Sequence, residues 1–504
     1  MKLSKAMASL GGLTFISRLT GFVRDQMAAS FLGSGSLMDA FVVAFRLPNL
    51  FRALFAEGAF HSVFVPLFAR KLEEGGKEKA NQLSGRILSI FALFLLVLVV
   101  IVELFMPQVI QVIAGGQAID KDLTIYLARI MFPYMMMVAL ASAGAAMMNS
   151  LSRFVAAAML PIILNLGMVF TLIIFYRSFA TAAHAYAFGV IFSGIIQMIW
   201  ISYFCIKNKV FPKPTLPKPT PESRIFFARL FPGILAAGVY QINAVLGTRL
   251  ASAIEGGNSW LYYADRLYQL PLGVIGVAAS TALLPMISRS LEAGDEAQAI
   301  SSQNKALEIT LILAFPCMVG LIILAPPIIN ILFERGQFDA SDTLMVAKAV
   351  AAYSLGLPAA MIIRILSAGF FGRGDTKTPF FSAVFAVSIF IALNFIFIHF
   401  LGHSHIYIAF ASSASIWGQA LLLWLLLKQK RLWNADSFLL KSIGKSLLLA
   451  LFMGGLLWLL KHWIIISDAR FILRFTSLIA TVILGSIFWF GGAYFLGLIQ
   501  RIRS

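Results

Sequence analysis

The chain has 504 residues, 60% hydrophobic and only 12% charged, with a mean hydropathy of +0.88 and a formal charge of +18. A soluble domain carries about 25% charged residues, and half that density cannot cover a water-facing surface, so a soluble enzyme or binding module is excluded. A nucleic-acid partner would suit the positive balance, but basic loops beside membrane spans explain it more simply.

Apolar runs of about 20 residues or more, in place of alternating runs of about 10, select helices over a β-barrel. The fold class expected is an all-α membrane protein with about 14 transmembrane helices. The opening MKLSKAMASLGGLTFISRL has a basic start and an apolar stretch, but Arg18, Arg24 and Asp25 follow within the same run and no small-residue cleavage site closes it. It reads as a retained first helix. Further spans are expected at 37–67, 83–106, 123–149, 155–176 and 181–206. A second group follows at 225–252, 260–288, 305–325, 343–371, 379–400 and 405–428, and a last pair at 438–462 and 472–499. An even number puts both termini on one side. The loops on that side hold roughly 24 Lys and Arg against roughly six opposite, so both termini are expected in the cytoplasm. The expected location is the bacterial inner membrane.

Between the sixth and seventh spans lies PKPTLPKPTP, from Pro212 to Pro221. Proline at this density makes an extended, semi-rigid spacer. The expected domains are therefore an N-lobe at 1–206, a linker at 207–224, a C-lobe at 225–428 and a terminal helix pair at 429–504. The lobes repeat one another: RLPNL from Arg46 and PLFARKLEEG from Pro66 match RLYQL from Arg266 and PMISRSLEAG from Pro285, with one residue of slip. Ala143-Gly144 and Asn165 likewise correspond to Ala368-Gly369 and Asn394. Repeats with an even number of helices run in the same direction about an axis along the membrane normal, an arrangement suited to rocking about a central cavity.

Ionisable residues at bilayer depth each cost roughly 2.5 kcal/mol or more and mark function or pairing. They gather on the first span (Arg18, Arg24, Asp25), the second (Asp39, Arg46, Arg52, Glu57) and the eighth (Asp265, Arg266), with Arg364 alone on the tenth. At about 100° per residue, Asp39, Arg46 and Glu57 share a face, as do Arg18 and Asp25, whereas Arg52 points away unless Pro48 turns the helix. Single pairs such as Arg18 with Asp25, or Asp265 with a neighbour, are read equally well as structural staples. Across the first, second and eighth spans, five arginines stand against four acids. Excess guanidinium suits phosphate or pyrophosphate, whereas a cation exporter needs the opposite bias. His403 and His405 fall in an expected outer loop and read as solvated; Cys205 and Cys317 are too far apart for a metal or disulfide framework. No nucleotide loop, zinc motif or nucleophile elbow appears.

These segments resemble the MurJ (MviN) family of lipid II flippases, within the multidrug/oligosaccharidyl-lipid/polysaccharide exporter superfamily. The resemblance is carried by SRLTGFVRD from Ser17, MDAFVVAFRLPNLFRALFAEGAFHSVFVP from Met38, SWLYYADRLYQLPLGVIGVA from Ser259 and GRGDTKTP from Gly372, and covers essentially the whole chain. It implies a transporter, not an enzyme, that flips undecaprenyl-pyrophosphate-linked disaccharide-pentapeptide between leaflets by alternating access, serving cell-wall biogenesis and cell shape. It implies Arg18, Arg24, Arg52 and Arg266 as substrate-binding residues. Ser17, Asp39 and Glu57 are implied for gating or headgroup contact, with Asp25, Arg46, Ser259, Asp265 and Arg364 in support. The terminal helix pair resembles one that forms a groove for the lipid tail. No cofactor is implied; membrane lipid is a partner, and peptidoglycan-synthesis proteins are compatible ones. Some members have a sodium site in the second lobe, but here Gln241 and Asn243 stand without a carboxylate and Asp375 lies at the start of the eleventh span. No metal is therefore assigned, and coupling to the membrane potential or an ion gradient stays open. The alternatives are a flippase for another polyprenyl-pyrophosphate glycan, a multidrug exporter, which the cationic bias disfavours, and a scaffold that does not transport.

Overall fold

A computed structural model describes residues 3–55, 59–464 and 471–498, and among them every regular element is helical. The chain divides into two compact units, Met1–Asn258 and Ser259–Ser504. The first holds α1 (Leu3–Leu32), α2 (Ser36–Phe55), α3 (Ala59–Leu104), α4 (Met106–Ile113), α5 (Lys121–Met131), α6 (Tyr134–Ser150), α7 (Phe154–Phe175), α8 (Ala182–Lys207) and α9 (Pro221–Ala251). The second holds nearly all of α10 (Gly257–Pro271), then α11 (Val277–Glu292), α12 (Glu296–Phe333), α13 (Ala340–Ser354), α14 (Leu357–Phe371), α15 (Lys377–Leu401), α16 (His405–Gln429), α17 (Ser437–Ile464) and α18 (Phe471–Phe495). A π-helical turn, Leu272–Gly276, joins α10 to α11.

Among the described residues, ten helical stretches are long and apolar enough to cross a membrane, which makes this a multi-pass membrane protein. The other four expected spans fall on α1, α2, α9 and α10–α11. Lipid-facing side chains are large and apolar, as at Leu93, Phe94, Val97 and Ile101 of α3 or Ile483, Ile487 and Phe490 of α18. Helix contacts use small residues instead. On α7 and α8 the fit is reciprocal: a Cβ at Gly167 would lie 2.1 Å from Ser193 Oγ, and one at Gly189 2.2 Å from Thr171 Oγ1.

The sequence repeat reappears in the packing. The pairs α3–α6, α5–α8, α6–α8 and α7–α8 of the first unit have counterparts in α12–α14, α13–α16, α14–α16 and α15–α16 of the second. The fourth expected span breaks at Phe132–Pro133 into α5 and α6, and its counterpart breaks at Leu355–Gly356 into α13 and α14. The duplicated P-x-x-x-R-x-L-E-x-G blocks end at Gly75 and Gly294, and each runs into a glycine of positive φ, +75° at Gly294 itself and +66° at Gly76, one residue past the first block, a region that favours glycine. One element departs from the pattern. By position α9 corresponds to α1, which packs on α7, yet α9 packs on α2, α3 and α4 of the first unit.

The proline-rich linker docks as a strap along α3. Lys77 Nζ donates to the Asn208 carbonyl (2.9 Å), Asn81 Nδ2 to that of Lys209 (3.1 Å), and Ser89 Oγ accepts from Thr215 N (2.9 Å). Between them Gly85 admits the Lys213 carbonyl, which a Cβ would meet at 2.5 Å. These four residues recur every fourth position and so form one stripe on the helix. The strap ends at Thr220, whose side chain caps α9 in a box with Ser223, with Pro221 as the first helical residue. A Gly85→Val substitution is expected to lift the strap and raise the rate of amide hydrogen exchange at Thr215, whose N–H the strap ties to Ser89, by about tenfold, read by hydrogen-exchange mass spectrometry of the purified protein, since the docked stretch surrenders its backbone bonds together.

Candidate functional site

On α1, Arg24 and Asp25 are 7% and 4% exposed. Arg24 Nε and Nη2 both donate to Asp25 Oδ1, at 3.0 and 2.6 Å, and Nη1 donates to Asn165 Oδ1 of α7 at 3.0 Å. The Asn165 amide in turn donates to the Ser17 carbonyl (3.1 Å) and to Thr20 Oγ1 (3.2 Å). Gly21 lets α7 come this close, since a Cβ there would sit 3.3 Å from the Asn165 amide nitrogen. The helical wheel suggests Arg18 as the partner of Asp25; the structure gives Asp25 to Arg24. Adjacent residues diverge by about 100°, but a guanidinium stem is long enough to fold back once Asn165 fixes its far edge. Arg18, by contrast, is exposed.

On α2, Asp39 lies in the first turn, is 2% exposed, and accepts the Gly256 N–H at 2.8 Å through Oδ2. Arg46 and Arg52 are half-buried, and Arg52 Nε donates to Asn49 Oδ1 at 3.3 Å. The helix continues through Pro48. Glu57 lies outside the described residues.

In the second unit, Ser259 is fully buried in the first turn of α10. Two turns on, the Arg266 guanidinium stacks 4.6 Å from the centre of the Tyr262 ring, and Asp265 accepts from the Gln269 amide. Arg364 of α14 is exposed, and its stem lies against the π-turn, where a Cβ at Gly276 would meet Arg364 Cδ at 3.1 Å. Single π-turns inside helices recur at functional sites.

The reading of His405 as a solvated loop residue is corrected: it opens α16, is 3% exposed, bonds the Met345 carbonyl through Nε2 at 3.0 Å and packs on Trp260. Asp375 is committed to structure. Its carboxylate accepts from Thr378 N (2.9 Å), Thr378 Oγ1 (2.6 Å) and Lys430 Nζ (3.1 Å), tying the ends of α15 and α16 together. The Thr378 hydroxyl, then its N–H and Lys430, hold the carboxyl down at about 2. Among the described residues no group of three His, Cys, Asp or Glu could hold a metal.

Helices α10, α12, α17 and α18 line an open-sided apolar cavity of about 500 Å³, with residues such as Leu267, Pro316, Leu324, Leu457, Ser486 and Trp489 on its walls. Trp489 is 2% exposed, and its indole N–H has no hydrogen-bond partner. Sequence reasoning did not place Asn165 in the charged cluster, although an amide inside an apolar span is itself a signal. Arg373 entered the sequence reading only as part of the GRGDTKTP segment, without a role; it bonds the carbonyls of Gly369 and Leu432 at 2.9 Å each.

Two duplicated helical units with paired intramembrane charges define a secondary-transporter class of membrane protein. The sequence profile of the family described as Lipid II flippase MurJ matches residues 28–477. A protein of Rhizobium meliloti, described as a probable lipid II flippase, is 39% identical over 474 residues, 92% of this chain and 88% of that protein. One of Rickettsia prowazekii, described in the same words, is 35% identical over the full length of both chains. A solved lipid II flippase MurJ in an inward closed conformation superposes with a TM-score of 0.78 at 28% identity, covering 96% of this chain and 99% of that one. A multidrug MATE transporter in an inward-facing conformation shares the fold alone, with a TM-score of 0.71 at 16% identity, covering 84% of this chain and 96% of that one. The chain belongs to the MurJ family.

Proposed function

We propose that this protein flips lipid II, the polyprenyl-pyrophosphate-linked peptidoglycan precursor, from the cytoplasmic to the periplasmic leaflet of a bacterial inner membrane. The observation that carries the reading is full-length likeness to proteins described as lipid II flippases, joined to the arginines on α1, α2 and α10. Guanidinium groups bind phosphate through paired donors. Arg18, Arg52 and Arg266 are half-buried or exposed and are assigned to the pyrophosphate, while Arg24 fixes the wall from which Arg18 projects. The apolar cavity of α10, α12, α17 and α18 takes part of the polyprenyl chain, so that the tail stays in a hydrocarbon environment while the headgroup crosses. Both termini lie in the cytoplasm, as the distribution of Lys and Arg supports. Alternating access is driven by the membrane potential or an ion gradient.

The test is lipid II accessibility at the outer leaflet of cells depleted of their own flippase. Expression of this chain is expected to restore it, and its failure to do so with the protein present in the membrane overturns the reading.

A further inference from the structure

The far end of α9, opposite the strap, is sewn to the first unit along a seam of almost no clearance. Arg249 Nη1 donates to the carbonyls of Gln111 (2.8 Å) and Val112 (2.9 Å). Both belong to the last turn of α4, where carbonyls lack partners within the helix and a cation is favoured. Gly116 N donates to Ser252 Oγ at 3.0 Å, and that hydroxyl donates to the Arg249 carbonyl at 2.6 Å. The Asp39–Gly256 bond continues the line.

The glycines decide the geometry. A Cβ at Gly116 would lie 2.1 Å from the Ser252 carbonyl oxygen and 2.4 Å from Ala253 N, and one at Gly115 would lie 2.6 Å from Arg249 Nη1. The atoms facing Gly116 are backbone and have no rotamer to change. Neither glycine has a positive φ. At Gly115 a Cβ would also meet the Gln111 carbonyl oxygen of its own turn at 2.5 Å, whereas at Gly116 the nearest atoms all belong to the opposing chain. The bonds themselves are of a reversible kind, made by exposed or small polar groups to backbone.

We propose that Gly115, Gly116 and Arg249 form a latch that holds the end of α9 against the α4–α5 turn in one state of the transport cycle and releases it in the other. The proposal rests on the transport reading above, but its test reads conformation and not flipping. Arg249 acts here as a positioning residue. Helix α9, the counterpart of α1, is gripped at one end by a strap docked over several turns and at the other by this short seam. The seam is the end that can part without undocking the strap.

The experiment is a spin-label distance measurement between Gln117→Cys and Glu255→Cys, exposed positions on the two sides of the seam, on the full chain in nanodiscs. A dominant short distance is expected in the parent. Gly116→Val should move most molecules to longer distances, and Arg249→Ala should raise the long-distance population about tenfold, as expected for losing charge-assisted hydrogen bonds. Gly35→Ala, where a Cβ has open space, should change nothing. Should Gly116→Val not fold, Arg249→Ala decides alone. Unchanged distances in every folded seam variant overturn the latch, and they do so whether or not the protein flips lipid II.

Discussion

Arg24→Ala is expected to destabilise the purified protein by about 3–5 kcal/mol, the cost of stranding one partner of a buried ion pair, whereas Arg18→Ala leaves stability unchanged and removes transport. Asp25 is 4% exposed and takes two bonds from Arg24, so truncating the arginine leaves a buried carboxylate. The Asn165 carbonyl oxygen loses its guanidinium donor as well. The double variant Arg24→Met/Asp25→Leu removes both charges, and because replacing a whole buried pair with apolar side chains is often neutral, it should regain most of the lost stability. Thermal unfolding in detergent gives the cycle, and rescue of flippase-depleted cells gives the transport readout. If the double variant regains stability but not rescue, the Arg24 guanidinium serves the substrate in addition to the fold. If both return, Arg24 is a staple, and Arg18, Arg52 and Arg266 carry the anion. Equal destabilisation by Arg18→Ala and Arg24→Ala would contradict the assignment of one as exposed and the other as built in.

The positions of the helices were legible in the sequence because hydropathy is a local property and lipid leaves no alternative to helices or closed barrels. Their interruptions were not. The expected ninth span stops before Pro326-Pro327, yet α12 runs through both prolines to Phe333, while the far less conspicuous Leu355-Gly356 separates α13 from α14. Proline tolerance in a membrane helix depends on which neighbours satisfy the freed backbone groups, and those come from distant segments. The helices that carry charge were legible for the same local reason. Partner choice was not: Asp25 goes to Arg24, whose guanidinium is also held by Asn165, a residue distant in sequence. Nothing in the sequence singles out Arg249 or the two glycines opposite it. Their relation exists only between two backbones. The linker composition announced an extended segment but not the stripe of Lys77, Asn81, Gly85 and Ser89 that holds it, because that spacing lies on the helix and not on the linker.

Gly320→Phe is expected to abolish rescue without loss of stability. Gly320 lines the apolar cavity inside α12, and a Cβ there has open space, so the new ring can enter the cavity in place of a ligand. Replacing a helix-interior glycine with phenylalanine also recovers roughly 0.5 kcal/mol of helix propensity, so the thermal midpoint should hold or rise. Gly485 is the contrasting position, since a Cβ there would meet Leu457 Cδ2 at 2.9 Å, and substitution should cost stability as well. If the cavity takes the polyprenyl chain, an excluded tail passes into lipid that is as apolar as the cavity, so the loss is of packing contacts at about 0.1–0.2 kcal/mol per atom pair, and roughly a dozen of them weaken binding about tenfold. Binding of a full-length polyprenyl-pyrophosphate should therefore fall by at least that factor in Gly320→Phe, while a short-chain prenyl pyrophosphate, held by its phosphates, binds as it does to the parent. Native mass spectrometry resolves both ligands on one preparation. Equal weakening of the two would place the fault in the arginine site. Unchanged binding of the long chain would take the tail out of this cavity and leave the headgroup as the only part of the substrate that these helices recognise.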